Sequence, residues 1–309
     1  MEEKIMRVAV TGAARGIGAA TARLLMQRGW RVACLDRDLD AARQIAGDHP
    51  AIAVDVAEEE SVIGAFAKVR EALGGLDALA TCAGIFETTP FFETTAKTFR
   101  RVHDVNVIGT FLSLREAVGM MQPGARICTV ASVAGLRGGG LSGTISYASS
   151  KGAILALTKN AARMLGPRGI AVNTIAPGVI DTPFVAGALA EPGTRQRLEG
   201  LTSFNRLGTA EEIAEAIAWL LSPAASYVPG ATRVADGGMV RFGAGRRVPA
   251  SAGTRRVVRP FGRLFRRPAP GSKNRPPSGA PPAVPRSRLR GPVRRPGSRS
   301  RAARQSGPR

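Results

Sequence analysis

The sequence predicts a doubly wound α/β fold: a parallel sheet with helices on both faces, in three αβα layers. Two observations carry this. Short β-branched runs alternate with longer amphipathic stretches, and a glycine-rich turn joins the first strand to the first helix. Parallel neighbours need a crossover of a dozen or more residues, and a helix in that crossover covers one sheet face. Ligands of such sheets bind at the carboxyl ends of the strands, where strand order reverses.

The elements follow in order. Strands are expected at 7–10, 31–35, 51–54, 78–81, 126–130, 171–175 and 231–235. Each is a short run rich in Val, Ile, Ala or Cys. Helices are expected near 17–28, 38–46, 58–73, 95–120, 145–165 and 209–222, where apolar residues recur every three or four positions. The pattern stops near Val240. From 241 to 309 the chain is Arg, Pro, Gly and Ser without apolar periodicity, so a disordered basic tail is expected to follow a single domain at 1–240.

The charge separates in the same way. The formal net charge is +21, but 20 of the 44 Lys and Arg and none of the 23 Asp and Glu lie in 241–309. Residues 1–240 therefore hold 24 basic against 23 acidic side chains. The domain is nearly neutral, and a nucleic-acid enzyme is not implied by the whole-chain charge. The tail could be a tether to phosphate backbones or anionic lipid, or simply a solvated extension. It carries three Phe (Phe242, Phe261, Phe265) and no recognisable nucleic-acid motif.

Cys34, Cys82 and Cys128 are odd in number and far apart, which fits reduced thiols and not a disulfide framework. The only histidines are His49 and His103, so no metal-ligand spacing is present. The first strand-like run begins near Arg7, leaving no room for a signal peptide, and no apolar run is long enough to span a bilayer. A cytoplasmic protein is expected.

The stretch from Thr11 to Gly18, Thr-Gly-Ala-Ala-Arg-Gly-Ile-Gly, sits between a strand and a helix. Gly12 permits a tight turn, and Gly16 and Gly18, with Arg15 and Ile17 between and beside them, let backbone approach a pyrophosphate at the helix start. Asp36 ends the second strand about 20 residues on, where an acid binds the adenosine 2′-hydroxyl of NAD and repels the 2′-phosphate of NADP. Arg15 and Arg37 stand nearby and could pair with that phosphate. NAD is therefore preferred and NADP possible. Asp55 and Val56 follow the third strand and either contact adenine or, through Asp55, cap the next helix. Ala83 and Gly84 follow the fourth strand, where small residues let a cofactor lie against backbone.

Tyr147 and Lys151 lie four apart on an expected helix, on one face. An ammonium beside a phenol favours the phenolate, which suits general acid–base work. Ser132 ends the fifth strand at the sheet's carboxyl edge, where a hydroxyl can hold a substrate oxygen. Asn106 sits within a long helical pattern, an unfavourable place for Asn, and either kinks that helix beside a water or is a satisfied structural amide.

Taken together, Thr11–Gly18, Asn106, Ser132, Tyr147-Ala-Ser-Ser-Lys151, the run from Asn173 to Thr182 and Asp236-Gly-Gly238 resemble the short-chain dehydrogenase/reductase family. The resemblance covers about 1–240. It implies a Rossmann-type domain and an NAD(P)-dependent oxidoreductase of secondary alcohols or ketones. By that resemblance Tyr147 exchanges the proton, Lys151 lowers its pKa and binds the nicotinamide ribose, Ser132 positions the substrate oxygen, and Asn106 maintains a proton relay. Pro177, Gly178, Ile180 and Thr182 would border the nicotinamide. Thr81-Cys82-Ala83-Gly84 departs from the family's usual Asn-Asn-Ala-Gly, which puts strand-anchoring contacts in question.

Specificity is expected from the loops at 85–89, 136–145 and 184–204, with Phe86, Leu141, Phe184, Val185, Leu189 and Phe204 offering apolar surface. Arg195, Arg197 and Arg206 could bind an anion or simply be solvated. Apolar excess on the helices near 95–120 and 145–165 predicts a two-fold dimer or tetramer through Val105, Phe111, Leu112, Leu114, Leu155, Leu157 and Met164. A non-catalytic nucleotide sensor is the competing class; retention of both Tyr147 and Lys151 argues for an enzyme.

Overall fold

The computed structural model describes residues 5–139 and 144–242. The tail beyond them and Leu141 therefore lie outside the described residues. Strands β1 (Arg7–Thr11), β2 (Arg31–Asp36), β3 (Ala51–Ala53), β4 (Leu76–Thr81), β5 (Met121–Val130), β6 (Ala171–Pro177) and β7 (Thr232–Ala235) form one sheet. Its order is β3-β2-β1-β4-β5-β6-β7, and every neighbouring pair is parallel. The order reverses between β1 and β4, so the crevice for a ligand opens there.

The helices are α1 (Gly16–Gln27), α2 (Leu39–Ala46), α3 (Glu59–Leu73), α4 (Ala96–His103), α5 (Gly109–Val118), α6 (Val133–Arg137), α7 (Ile145–Leu165), α8 (Ala186–Leu189), α9 (Thr194–Glu199) and α10 (Ala210–Leu221). Side chains of one strand point alternately to the two faces. Ala9, Leu35, Leu79, Ile127 and Val172 accordingly pack against Phe66, Val69, Leu112 and Ala117 of α3 and α5. Val8, Val10, Val32, Cys34, Cys128 and Ile175 pack against Leu25, Ile213 and Ile217 of α1 and α10. Each such Val, Leu or Ile contributes about 1.5–3 kcal/mol on burial, which makes the strand faces unambiguous. All three cysteines are free thiols.

The expected long helix at 95–120 is not continuous. It divides into α4, a π-helical turn at Asp104–Ile108, and α5. Asn106 lies inside that turn. β4 and β5 start earlier than expected, at Leu76 and Met121, with an irregular register between Leu76 and Ala78. The short helices α6, α8 and α9 fall in segments expected to be loops. Thr209 and Glu212 close a reciprocal cap on α10, fixing its start as a serine- or threonine-led helix entry does. Among the described residues no helix is long and apolar enough to cross a membrane, and no three His, Cys, Asp or Glu side chains gather as a metal site.

Candidate active site

The carboxyl ends of β1, β2, β4, β5 and β6 open onto one cleft of about 700 Å³. Every sequence-predicted site residue lines it except Asn106.

At one end lies the glycine turn. Gly12 has φ +69°, and a Cβ there would stand 2.6 Å from the Ala83 nitrogen. A Cβ on Gly18 would stand 2.0 Å from the Gly12 carbonyl oxygen. Neither position tolerates a side chain. Arg15 precedes α1 with extended backbone, and no side chain caps that helix. Its first N–H groups are thus left to whatever lies in the cleft, a suitable arrangement for a pyrophosphate. The residues present fit a nicotinamide dinucleotide.

Asp36 does more than face this end. Its carboxylate accepts hydrogen bonds from the backbone N–H of Ala14 (3.0 Å) and of Asp38 (3.0 Å). It therefore clamps the glycine turn to β2, a role that local sequence pattern does not reveal. Spare lone pairs remain on both oxygens. Asp55 accepts from the Ala57 N–H in a local turn. It does not cap α3, whose N-cap is Glu58, so the capping alternative is overturned. The alternative of an adenine contact stays open, since Asp55 and Val56 both line the cleft.

At the other end stand Ser132, Tyr147 and Lys151. Ser132 is the N-cap of α6, and its hydroxyl oxygen accepts from the Ala134 N–H at 3.1 Å. That hydroxyl and the Tyr147 phenol line the same end of the cleft, near enough for Ser132 to favour the ionised phenol. Lys151 is buried and donates to the Val130 carbonyl at 2.8 Å. Its ammonium sits 5.8 Å from the centre of the Tyr147 ring. Glycine at 135 permits this arrangement: a Cβ there would lie 2.5 Å from the Lys151 backbone, so α6 and α7 touch main chain to main chain.

The expected lowering of the phenol does not appear among this chain's own groups. Burial pushes Tyr147 up to about 12, with Ser132 pulling the other way. Burial also brings the Lys151 ammonium down to about 8, opposed by Cys82. Desolvation penalises whichever form is charged, so phenol and ammonium move in opposite directions.

Asn106 is fully buried behind the cleft instead of lining it. Its amide donates to the Ile85 carbonyl and to the Ser150 hydroxyl, both at 3.0 Å, and its oxygen accepts from the Ile85 N–H at 2.8 Å. The side chain is spent on holding the chain just after β4 against α7. Its own carbonyl accepts from the Thr110 hydroxyl at 2.7 Å. Where the family usually has Asn-Asn, the Thr81 hydroxyl is buried without a hydrogen-bond partner among the described residues.

The wall beside Tyr147 is aromatic. Phe86 meets its ring edge-on at 5.1 Å between centres, and Phe184 lies 5.8 Å from Phe86 and 6.1 Å from Tyr147. Phe86, Phe184 and Val185 line the cleft as expected, but Leu189 packs into a separate cluster and Phe204 is largely exposed. Arg195 pairs with Asp181 and Glu199, and Arg206 with Glu212. None of Arg195, Arg197 and Arg206 reaches the cleft. Arg137, at the start of the segment 136–145 expected to set specificity, does.

A bare helix start behind a glycine turn, running to a hydroxyl, a phenol and an amine, defines a dinucleotide-dependent oxidoreductase. A family model described as enoyl-(acyl carrier protein) reductase matches residues 12–240. The chain is 41% identical over 243 residues to cis-4-hydroxycyclohexanecarboxylate dehydrogenase of Sinomonas cyclohexanicum, covering 75% of this chain and 96% of the relative. It is 36% identical to 2,5-dichloro-2,5-cyclohexadiene-1,4-diol dehydrogenase of Sphingobium indicum, covering 75% and 95%. A solved short-chain type dehydrogenase/reductase from Mycobacterium marinum superposes with a TM-score of 0.72 at 30% identity, over 76% of this chain and 96% of that one. The chain belongs to the short-chain dehydrogenase/reductase family. It is an oxidoreductase of CH–OH groups that uses NAD or NADP.

Proposed function

We propose that this protein interconverts a ring-bearing secondary alcohol and its ketone, with Tyr147 exchanging the hydroxyl proton. The observation that carries the reading is the gathering of Ser132, Tyr147 and the buried Lys151 ammonium at the end of a cleft whose other end is the glycine turn. The bound nicotinamide accepts or supplies the hydride. Ser132 holds the substrate oxygen against Tyr147. In oxidation the phenolate takes the hydroxyl proton as the carbinol C–H leaves as hydride; in reduction the phenol returns it. Buried Tyr147 is protonated at neutral pH, the form that serves reduction.

Gly12, Arg15, Gly16, Ile17 and Gly18 would hold the pyrophosphate, and Asp36 the adenosine ribose. Asp55 and Val56 would flank the adenine. Ala83 and Gly84, with Pro177, Gly178, Ile180 and Thr182, would enclose the nicotinamide end, and Lys151 would bind its ribose. Asn106 acts by position, holding Ile85 and α7 together. NAD is the preferred partner, because Asp36 is pinned by two backbone N–H groups and cannot swing away from a 2′-phosphate; NADP stays possible through Arg15 and Arg37. The ring preference is supported by the Phe86–Tyr147–Phe184 wall and by two relatives whose names specify six-membered ring alcohols.

The test is Tyr147→Phe assayed by NAD reduction over a panel of cyclic secondary alcohols. Turnover is expected to fall by a factor of about 10² to 10⁴ while NADH still binds. Undiminished turnover would overturn the reading. We further propose a cytoplasmic dimer or tetramer assembled through α5 and α7. Leu112 and Leu114 belong to the monomer's own core, so the surface on offer is Ile108, Phe111 and Met164, which are exposed.

A further inference from the structure

The charged groups lining the cleft are divided between its ends. Asp36, Arg37, Asp38 and Asp55 follow β2 and β3, at the glycine-turn end, with Arg15 beside them. Beyond Ser132 the charged lining side chains are Lys151 and Arg137, both cationic. Lys151 donates to the Val130 carbonyl beside Tyr147 and is assigned above to the phenol and the nicotinamide ribose. Arg137 is not committed. It makes no ion pair among the described residues, and its one hydrogen bond, to the Met239 carbonyl, is 3.5 Å long. The guanidinium has five donors in a planar fork, so most of its capacity faces outward from α6.

Position completes the case. Arg137 closes the helix that Ser132 opens. Both residues thus reach the cleft from one short helix, their Cα atoms about 7.5 Å apart along its axis. The contact of Gly135 with the Lys151 backbone holds α6 against α7. Val133, Met239 and Phe184, all apolar, line the same cleft.

Resting on the function proposed above, we infer that Arg137 binds a carboxylate on the far side of the substrate ring, so that the substrate class is a cyclic hydroxy or oxo acid. A carboxylate matches the guanidinium fork with two parallel hydrogen bonds. Substrate orientation is thereby fixed at both ends, at Ser132–Tyr147 and at Arg137.

The test compares calorimetric binding of cyclohexanecarboxylate and the neutral cyclohexanecarboxamide to the NADH-saturated full chain, in wild type and in Arg137→Gln. The carboxylate is expected to bind wild type at least about tenfold more tightly, and Arg137→Gln to abolish the difference. Arg137→Lys should recover only part of it, since a point charge lacks the fork. Equal affinity for acid and amide in wild type, or a preference that survives Arg137→Gln, would overturn the inference. So would equal competition by inorganic phosphate, which would mark a general anion site. A parallel assay of cyclohexanol oxidation separates the two readings: Arg137→Gln should leave it within about twofold of wild type, whereas Tyr147→Phe should abolish it. Loss of cyclohexanol turnover in Arg137→Gln, with the fold intact by circular dichroism, would count against a role confined to the carboxylate.

Discussion

Replacing Lys151 by Met removes a buried positive charge from beside the phenol at nearly constant volume. With 5.8 Å from the ammonium to the ring centre, an effective dielectric of about 20 gives an interaction of about 3 kcal/mol with the phenolate. That corresponds to about two pH units in the ionisation of Tyr147. The sign follows from which form reacts. Alcohol oxidation needs the phenolate, so its kcat/KM rises with pH until Tyr147 has ionised. Below about pH 8, where Lys151 carries its charge, Lys151→Met should lower the rate by up to about a hundredfold, and the gap should narrow above that pH, so the profile is displaced upward. Ketone reduction uses the protonated phenol, so it should persist to higher pH in the variant. The loss of the hydrogen bond to the Val130 carbonyl costs stability as well, about 1–3 kcal/mol. A thermal melt separates that effect, because lost stability does not displace a pH profile. The assay is kcat/KM in both directions across the accessible pH range. A rate reduced equally at every pH, with its inflection unmoved, would refute the electrostatic role and leave Lys151 only as a scaffold.

The other predictions concern cofactor and assembly. Asp36→Ala should move the NAD-to-NADP preference at least about tenfold toward NADP. It should also lower Tm by several degrees, because the Ala14 N–H loses its acceptor; a shifted preference without destabilisation would mean the clamp is idle. Gly18→Ala puts a methyl 2.0 Å from the Gly12 carbonyl, so the turn must deform; NAD affinity by calorimetry should fall more than about tenfold, and unchanged affinity would show that the turn is not the cradle. Light scattering at micromolar concentration should report a dimer or tetramer that Phe111→Asp dissociates; a wild-type monomer would remove the assembly proposal.

The sheet was legible because each strand's periodicity is local: Val8, Val10 and Val32 announce one face by their own spacing. The glycine turn was legible for the same reason, since Gly12 to Gly18 sits between a strand and a helix. The break of the 95–120 helix was less so. The helical period runs through Asn106 unchanged, and the π turn exists because its amide reaches Ile85 and Ser150, contacts far away in sequence. The clamp by Asp36, the aromatic wall at Tyr147 and the reach of Arg137 into the cleft are long-range contacts too. At Tyr147 the four-residue spacing brings an ammonium alongside, but spacing does not encode burial, which raises the phenol while Ser132 pulls the other way. Leu112 and Leu114 read as surplus apolar surface, although the inner layer against β4 and β5 uses them.

The protein has two tyrosines, Tyr147 and Tyr227, and the latter is 97% exposed. With tyrosine carrying ¹³C at Cζ, the two resonances can be followed against pH in the NAD-saturated protein, and Tyr147→Phe assigns them. If Tyr147 takes the hydroxyl proton, its resonance titrates at the same pH as the rise in alcohol oxidation. A Tyr147 that stays protonated throughout that rise would contradict that role.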